Sequence, residues 1–415
     1  MRVLVISAAF PPMRLGEADH AFHLCCHLAK RGLEVHVLTT KSDEVPSQPN
    51  IKVHPIMRNW SWAELPSFGG FLRRCSPDVV VLIYLGVLYK QHPMVTFAPT
   101  ISKALLPSVR FVTLIENAYG AQPGQSSIFS KTVCLGLSKL IKDVDYSFGT
   151  LLRDSDHIIL LSDTHRLKLL KRFRALDGKC TLIPPPPIMH ICPENNGVAR
   201  RRGRNLLGVT PAECLLCYFG RIYPTKGGLE TLLRAFQLVT LQRSHVRLVI
   251  VGGILESTSP NHASYTQELL SLPKQLGIDD LVMWTGEYRW DSDDASIYLR
   301  AADLCVLPYD KGLTLNRSSF AAAATHGLPI ISTKGEMLEQ PFLHRENVLL
   351  CPPQDPEAMA AAIKTLIDNP DLRKLLGLGA LELAQEWFSW ERATELTMAT
   401  FERCSRIVEA PKRRD

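Results

Sequence analysis

The residues best suited to chemistry stand together at Gly220-Arg221-Ile222-Tyr223-Pro224-Thr225-Lys226-Gly227-Gly228, after an apolar run that begins at Leu215. A strand whose carboxyl end turns into a helix is where open α/β sheets bind ligands. Glycines let the backbone approach an anion, and a helix start offers unpaired amides. The Arg221 guanidinium and the Lys226 ammonium add a fork and a point charge. This set fits a diphosphate, and two cations on a departing diphosphate would stabilise charge where it develops. The same residues also fit a plain surface turn with two solvated cations.

Other clusters say less. His20, His23 and His27 recur at three-and-four spacing, which puts them on one helix face. Spacing offers them no fourth ligand, so the sequence predicts no metal site. Asp291, Asp293 and Asp294 precede a predicted helix and read as its cap and dipole complement. The basic run Arg200, Arg201, Arg202 and Arg204 fits a solvated linker or helix end, and equally an attraction to anionic headgroups or an acidic acceptor. No Gly-x-Gly-x-x-Gly follows the first strand of either half, which argues against a dehydrogenase.

These residues must be positioned by a fold, and the pattern of the chain supplies one. Short β-branched runs alternate with amphipathic stretches, the mark of parallel sheets covered by helices on both faces. In the first half, strands are predicted at 3–7, 35–39, 79–85, 111–116 and 158–162, with a helix at 17–31 ended by Gly32. The four prolines 184–187 and the polar stretch to Arg204 read as an interdomain linker. The pattern then restarts: strands at 215–220, 248–251, 281–285, 304–307, 330–332 and 348–350, with helices at 228–240 and 265–277. The tail from Pro356 to Cys404 is predicted helical, broken near Gly377, Gly379 and the cluster Trp387-Phe388-Ser389-Trp390, whose aromatic rings would anchor a return to the first domain.

With 415 residues, 46% of them hydrophobic and 21% charged, two globular domains are expected. The net charge of +6 is modest, and no basic stripe interleaved with aromatics points to nucleic acid. Eleven cysteines lie without metal-type pairing and read as small core residues in a reducing, cytoplasmic setting. The longest apolar run, 79–89, falls short of the ~20 residues that span a bilayer. A soluble protein is expected, with peripheral association at the inner face of a membrane left open.

The chain resembles the retaining nucleotide-sugar glycosyltransferases of the GT-B fold, group 1. The resemblance rests on VISAAFPP followed by GEADHAFHLCCHLAKRGLEVHVLT, on DHIILLSDTHR and LIPPPP, and on YFGRIYPTKGGLETLLRAF, LVMWTGEY, AADLCVLPY and HGLPIIST. It implies two Rossmann-like domains facing across a cleft: 1–186 on the acceptor side, 187–386 on the donor side, and a terminal helix 387–415 packing back toward the first. By the resemblance, Arg221 and Lys226 would hold the donor diphosphate with Gly220 and Gly227. Gly286, Glu287 and Tyr288 would hold the nucleotide base, and Gly16 would lie in the N-terminal loop facing donor and acceptor. The donor would be a nucleotide diphosphate sugar. No metal or other cofactor is implied.

The departures from the family pattern are local. Two glutamates with seven residues between them usually precede the Gly-Leu-Pro turn, and here those positions are Thr314 and Ala322. In their place Thr314, Asn316, Arg317, Ser318 and Ser319 form a polar loop entering a helix, fit to meet sugar hydroxyls or a phosphate, or simply to cap that helix. A histidine common at one N-terminal strand end is replaced by Glu116, which would take the acceptor's proton or bind a sugar hydroxyl, and which equally fits a surface charge or a partner for a nearby arginine. His20 would touch the acceptor. The sequence therefore predicts transfer of a sugar to a hydroxyl acceptor (sugar, lipid-linked or small molecule) with retention, and a hinge near residues 184–187. The alternatives are a nucleotide-sugar epimerase of the same fold and a non-catalytic sugar-nucleotide-binding subunit.

Overall fold

The structure, a computed structural model, describes residues 1–118, 147–222, 228–254 and 260–409. The chain divides into two compact units, Met1–Pro184 with Trp390–Asp415, and Pro185–Ser389.

Among the described residues, unit 1 is a parallel sheet in the order β3-β2-β1-β4-β5-β6-β7. Its strands are β1 (Arg2–Ile6), β2 (Glu34–Thr40), β3 (Ile51–Met57), β4 (Val79–Tyr84), β5 (Arg110–Ile115), β6 (His157–Leu160) and β7 (Cys180–Leu182). The helices are α1 (Gly16–Lys30), α2 (Leu65–Cys75), α3 (Ala98–Leu105), α4 (Leu151–Asp154) and α5 (Asp163–Arg172). Central strands read as unbroken apolar runs because helices cover both faces. Every residue of β4 is buried, with Val81 opposite Val5 on one side and Val112 on the other. Gly32 adopts φ +81° after α1, the left-handed turn that stops a helix without a Cβ clash.

Unit 2 orders its strands β10-β9-β8-β11-β13-β15. They are β8 (Cys214–Phe219), β9 (Val246–Val251), β10 (Val282–Gly286), β11 (Leu304–Leu307), β13 (Ile330–Thr333) and β15 (Leu349–Cys351), while β12 (Gly312–Leu313) and β14 (Met337–Leu338) form a small separate ladder. Its helices are α6 (Asn196–Leu206), α7 (Leu229–Thr240), α8 (Pro260–Gln275), α9 (Asp294–Ala301), α10 (Ser318–Thr325), α11 (Pro356–Asp368) and α12 (Pro370–Trp387); α13 (Trp390–Glu409) belongs to unit 1. Leu216, Ile250, Val306 and Ile331 from the sheet meet Leu232, Phe236 and Ile363 in its core.

Three expectations need correction. The polar stretch ending at Arg204 is not a linker but α6, capped by Asn195, whose side chain accepts from the Gly197 amide at 2.9 Å. Its inner face is narrow: a Cβ on Gly203 would lie 2.5 Å from the Ile297 carbonyl oxygen. The arginine run therefore splits. Arg200 and Arg204 turn inward to Asp303, at 2.6 and 3.2 Å, and to carbonyls of Ala301 and Ala302, while Arg201 and Arg202 stay exposed.

Gly377 and Gly379 do not break the tail helix; they lie inside α12. A Cβ on either would stand 2.6 Å from the Gly327 oxygen or 2.2 Å from the Glu346 oxygen, so the helix backbone packs directly on loop backbone. The breaks fall at Asn369 and at Ser389. The aromatic cluster also divides. Phe388 packs with Phe320 and Phe342 in unit 2, whereas Trp390 stacks on histidines of α1 in unit 1.

Candidate functional site

In unit 2 the carboxyl ends of β8, β9 and β10 meet through glycine. The Gly220 amide donates to the Val251 carbonyl at 3.0 Å, the Ile222 amide to the Gly253 carbonyl at 3.0 Å, and Gly252 bridges Gly286. A Cβ on Gly252 would lie 2.3 Å from the Gly220 oxygen, and one on Gly253 would lie 1.8 Å from Glu287 Cγ. Side chains are thus excluded where the three chains cross. Past that crossing, Arg221 Nη1 stands 3.6 Å from Glu287 Oε1, with Arg221 only 20% exposed. Tyr288 stacks on Phe219 with centroids 5.8 Å apart.

Gly220, Arg221, Gly286, Glu287 and Tyr288 therefore converge at one rim. Lys226 and Gly227 lie outside the described residues. Gly252 and Gly253 were not singled out from the sequence, although a Gly-Gly pair closing the buried run of β9 was a readable signal of close backbone approach.

The loop between β11 and α10 approaches the same rim: an added Cβ on Gly220 would sit 3.6 Å from Ser319 Cβ. Ser319 and the Tyr309 hydroxyl share a 2.6 Å hydrogen bond. The Arg317 guanidinium lies over the Tyr309 ring at 4.4 Å, a cation–π contact. Thr314, nearly buried, donates to Asn316 Oδ1 at 2.7 Å, and Glu339 accepts the Leu315 amide at 2.7 Å. A carboxylate is thus built into this loop from beside β14, a feature missed because Glu339 is remote in sequence.

Neither Asn316 nor Ser318 caps α10. The helix starts at Ser318, and Arg317 at the cap position makes no side-chain cap bond. Ala322 is fully buried inside α10. The acidic trio before α9 meets expectation in part: Asp293 holds the cap position, though without a side-chain bond, and Asp294 stands in the first turn, whereas Asp291 pairs with Arg289 at 2.8 Å.

In unit 1, α1 begins at Gly16 and carries His20 to Glu116 at the end of β5. His20 Nδ1 and Glu116 Oε1 are 2.8 Å apart, and both side chains are largely covered. The Glu116 amide donates to the Tyr84 carbonyl, fixing the strand tip. His20, His23 and His27 do share a face, and that face meets Trp390 of α13. The ring of His27 is nearly parallel to the indole, at 9° and 4.9 Å. Burial, then Lys30, push the His27 pKa down to about 4, with Glu391 opposing them. Among the described residues, no group of three or more His, Cys, Asp or Glu is arranged to hold a metal ion, and the cysteines are free thiols.

Residues 213–369 match the family model described as Glycosyl transferases group 1. D-inositol 3-phosphate glycosyltransferase of Thermobispora bispora is 27% identical over 263 residues, a match that covers 61% of this chain and 58% of that relative's length. Among solved structures, sucrose-phosphate synthase from Thermosynechococcus elongatus superposes with a TM-score of 0.71 at 20% identity, covering 99% of this chain and all of that one. Anabaena Alr3699/HepE, solved in complex with UDP and glucose, superposes at 0.67 with 16% identity, covering 97% of this chain and all of that one. The similarity to the group 1 glycosyl transferases thus lies in residues 213–369, and the chain has the GT-B fold. Among the described residues, no helix is long and apolar enough to cross a membrane.

Proposed function

We propose that this protein is a glycosyltransferase that moves a sugar from a nucleotide diphosphate sugar to a hydroxyl acceptor with retention of configuration. The observation that carries this reading is the glycine crossing that presents Arg221 beside Glu287 at the carboxyl rim of the unit 2 sheet. Backbone free of side chains next to a guanidinium is what a diphosphate needs. The UDP and glucose bound by the Anabaena neighbour support the same ligand class.

In this reading Arg221, with Lys226, neutralises the diphosphate as the anomeric C–O bond breaks. The acceptor oxygen forms the new bond on the same face, and its proton passes to the leaving phosphate oxygen. Glu116 and His20 orient the acceptor hydroxyl from unit 1, and Ser319, Asn316 and Thr314 order the loop beside the sugar. Peripheral association with a membrane surface is compatible with the exposed Arg201 and Arg202.

Proton NMR of the reaction mixture tests the proposal. A nucleotide sugar with an axial leaving group should yield an acceptor-linked product with the small anomeric coupling of the same configuration. A large coupling would remove retention. Release of an epimerised donor without acceptor would favour the epimerase reading, and nucleotide binding with no turnover would favour the non-catalytic one.

A further inference from the structure

The loops after β1 to β4 in unit 1 are tied into a rigid rim. The Trp60 indole N–H donates to Thr40 Oγ1 at 2.8 Å, and Thr40 in turn donates to the Ala8 carbonyl at 2.7 Å. Tyr89, edge-on to Trp60, donates to the Ile83 carbonyl at 2.8 Å and accepts the Ala8 amide. The turn after β3 is fixed further by Glu64, whose carboxylate accepts the amides of Arg58, Asn59 and Trp60 at 2.6–2.9 Å. Burial raises the Glu64 pKa, but the three amides outweigh it and hold the carboxyl below its ordinary range.

On this fixed turn stands Trp62, a residue 45% exposed. Phe97 backs it at 5.6 Å, and the His92 ring stands edge-on at 6.0 Å. His92 is delivered by Lys90 and Gln91, two consecutive non-glycine residues at φ +52° and +56°. Such backbone is costly and gathers at ligand sites. His92 Nδ1 accepts the Met94 amide at 3.1 Å, so the neutral ring carries its proton on Nε2, which has no hydrogen-bond partner among the described residues. Burial lowers the His92 pKa and favours that neutral form.

We propose that Trp62 and His92 form a platform for a pyranose ring of the acceptor, which makes the acceptor a carbohydrate rather than a lipid alcohol or a peptide. The inference rests on the glycosyltransferase reading above. An exposed indole face held by a stiff turn complements the C–H face of a pyranose, and the His92 Nε2–H beside it donates to a ring hydroxyl. Both loops leave carboxyl ends of parallel strands, where open sheets bind ligands. A rigid aromatic loses little conformational entropy on binding.

Fluorine NMR of the full chain labelled with 5-fluorotryptophan tests this. The six tryptophans give six resonances, and Trp62→Phe assigns the one that matters. Methyl glycosides of α-D-glucopyranose, α-D-mannopyranose and β-D-galactopyranose are then titrated, followed by phosphatidylcholine vesicles. At least one glycoside should move the Trp62 resonance saturably, and His92→Ala should weaken that response by roughly 3- to 10-fold, the worth of one hydrogen bond. A Trp62 resonance that no glycoside moves, or that only vesicles move, overturns the proposal. UDP and GDP added to the same sample report through Trp284 and Trp290 beside the unit 2 rim, so failure of the donor reading shows separately from failure of the platform.

Discussion

Two residues carry the residue-scale account, and each makes a different prediction. Glu116 is held at 2.8 Å from His20 on a strand tip of unit 1, the unit that the proposal assigns to the acceptor. Glu116→Gln should lower kcat by about 10²-fold, the scale of one positioned acid–base group, while nucleotide affinity measured by calorimetry stays unchanged. Gly253 is held to glycine by Glu287, because a Cβ there would overlap Glu287 Cγ. Gly253→Ala should displace Glu287 and weaken nucleotide binding, with a stability loss of about 1–3 kcal/mol in urea unfolding. Arg221 could be singled out in the sequence because it is a cation among glycines after an apolar run, a pattern that a plain surface turn shares. Its partner Glu287 was legible only as part of a base-binding loop, since a 66-residue separation hides an ion pair from any local pattern.

At the scale of elements, strand positions followed from apolar runs, as with β4 and β11, where full burial leaves little ambiguity. β3 escaped notice because an edge strand carrying Lys52, His54 and Pro55 is only partly buried. α6 was mistaken for linker because its buried face consists of Ala199, Gly203 and the charged Arg204, so no apolar stripe exists to read. The glycines of α12 misled for the opposite reason. Glycine is poor in helix interiors, yet here it serves contact rather than breakage. Replacing an exposed helical glycine by alanine ordinarily stabilises by about 1 kcal/mol. Gly379→Ala should instead destabilise by about 1–3 kcal/mol, because the added methyl meets the Glu346 oxygen. Chemical unfolding of the purified variant distinguishes the two signs.

At the scale of the whole molecule, stability should fall in acid through histidines that fold neutral. Burial lowers the pKa of His27, His157 and His326 to about 4 each, with Lys30 adding to the shift at His27, Arg403 and Lys179 at His157, and Arg300 at His326. His326 completes a neutral chain: the Cys192 amide donates to Ser296 Oγ, Ser296 donates to His326 Nε2, and His326 Nδ1–H donates to the Ala322 carbonyl. The unfolded chain takes up protons near pH 6.5 while the folded one resists until about 4. The stabilisation is therefore intact above pH 6.5 and drains as pH falls toward 4, by up to roughly 2 kcal/mol at pH 5 for the deeply buried His326 and by less for His27 and His157, where solvent screens the charge. Denaturant midpoints recorded from pH 7.5 to 5 should decline accordingly. The architecture of each unit was readable from alternation alone, whereas pairings such as His27 with Trp390, far apart in the chain, needed the fold. The central claim, a diphosphate grip at Arg221, is tested most directly by melting the wild type and Arg221→Ala with a panel of nucleotide diphosphate sugars. The account predicts that at least one sugar nucleotide raises the wild-type melting temperature and leaves Arg221→Ala unmoved; an equal rise in both proteins, or none in the wild type with any member of the panel, would contradict it.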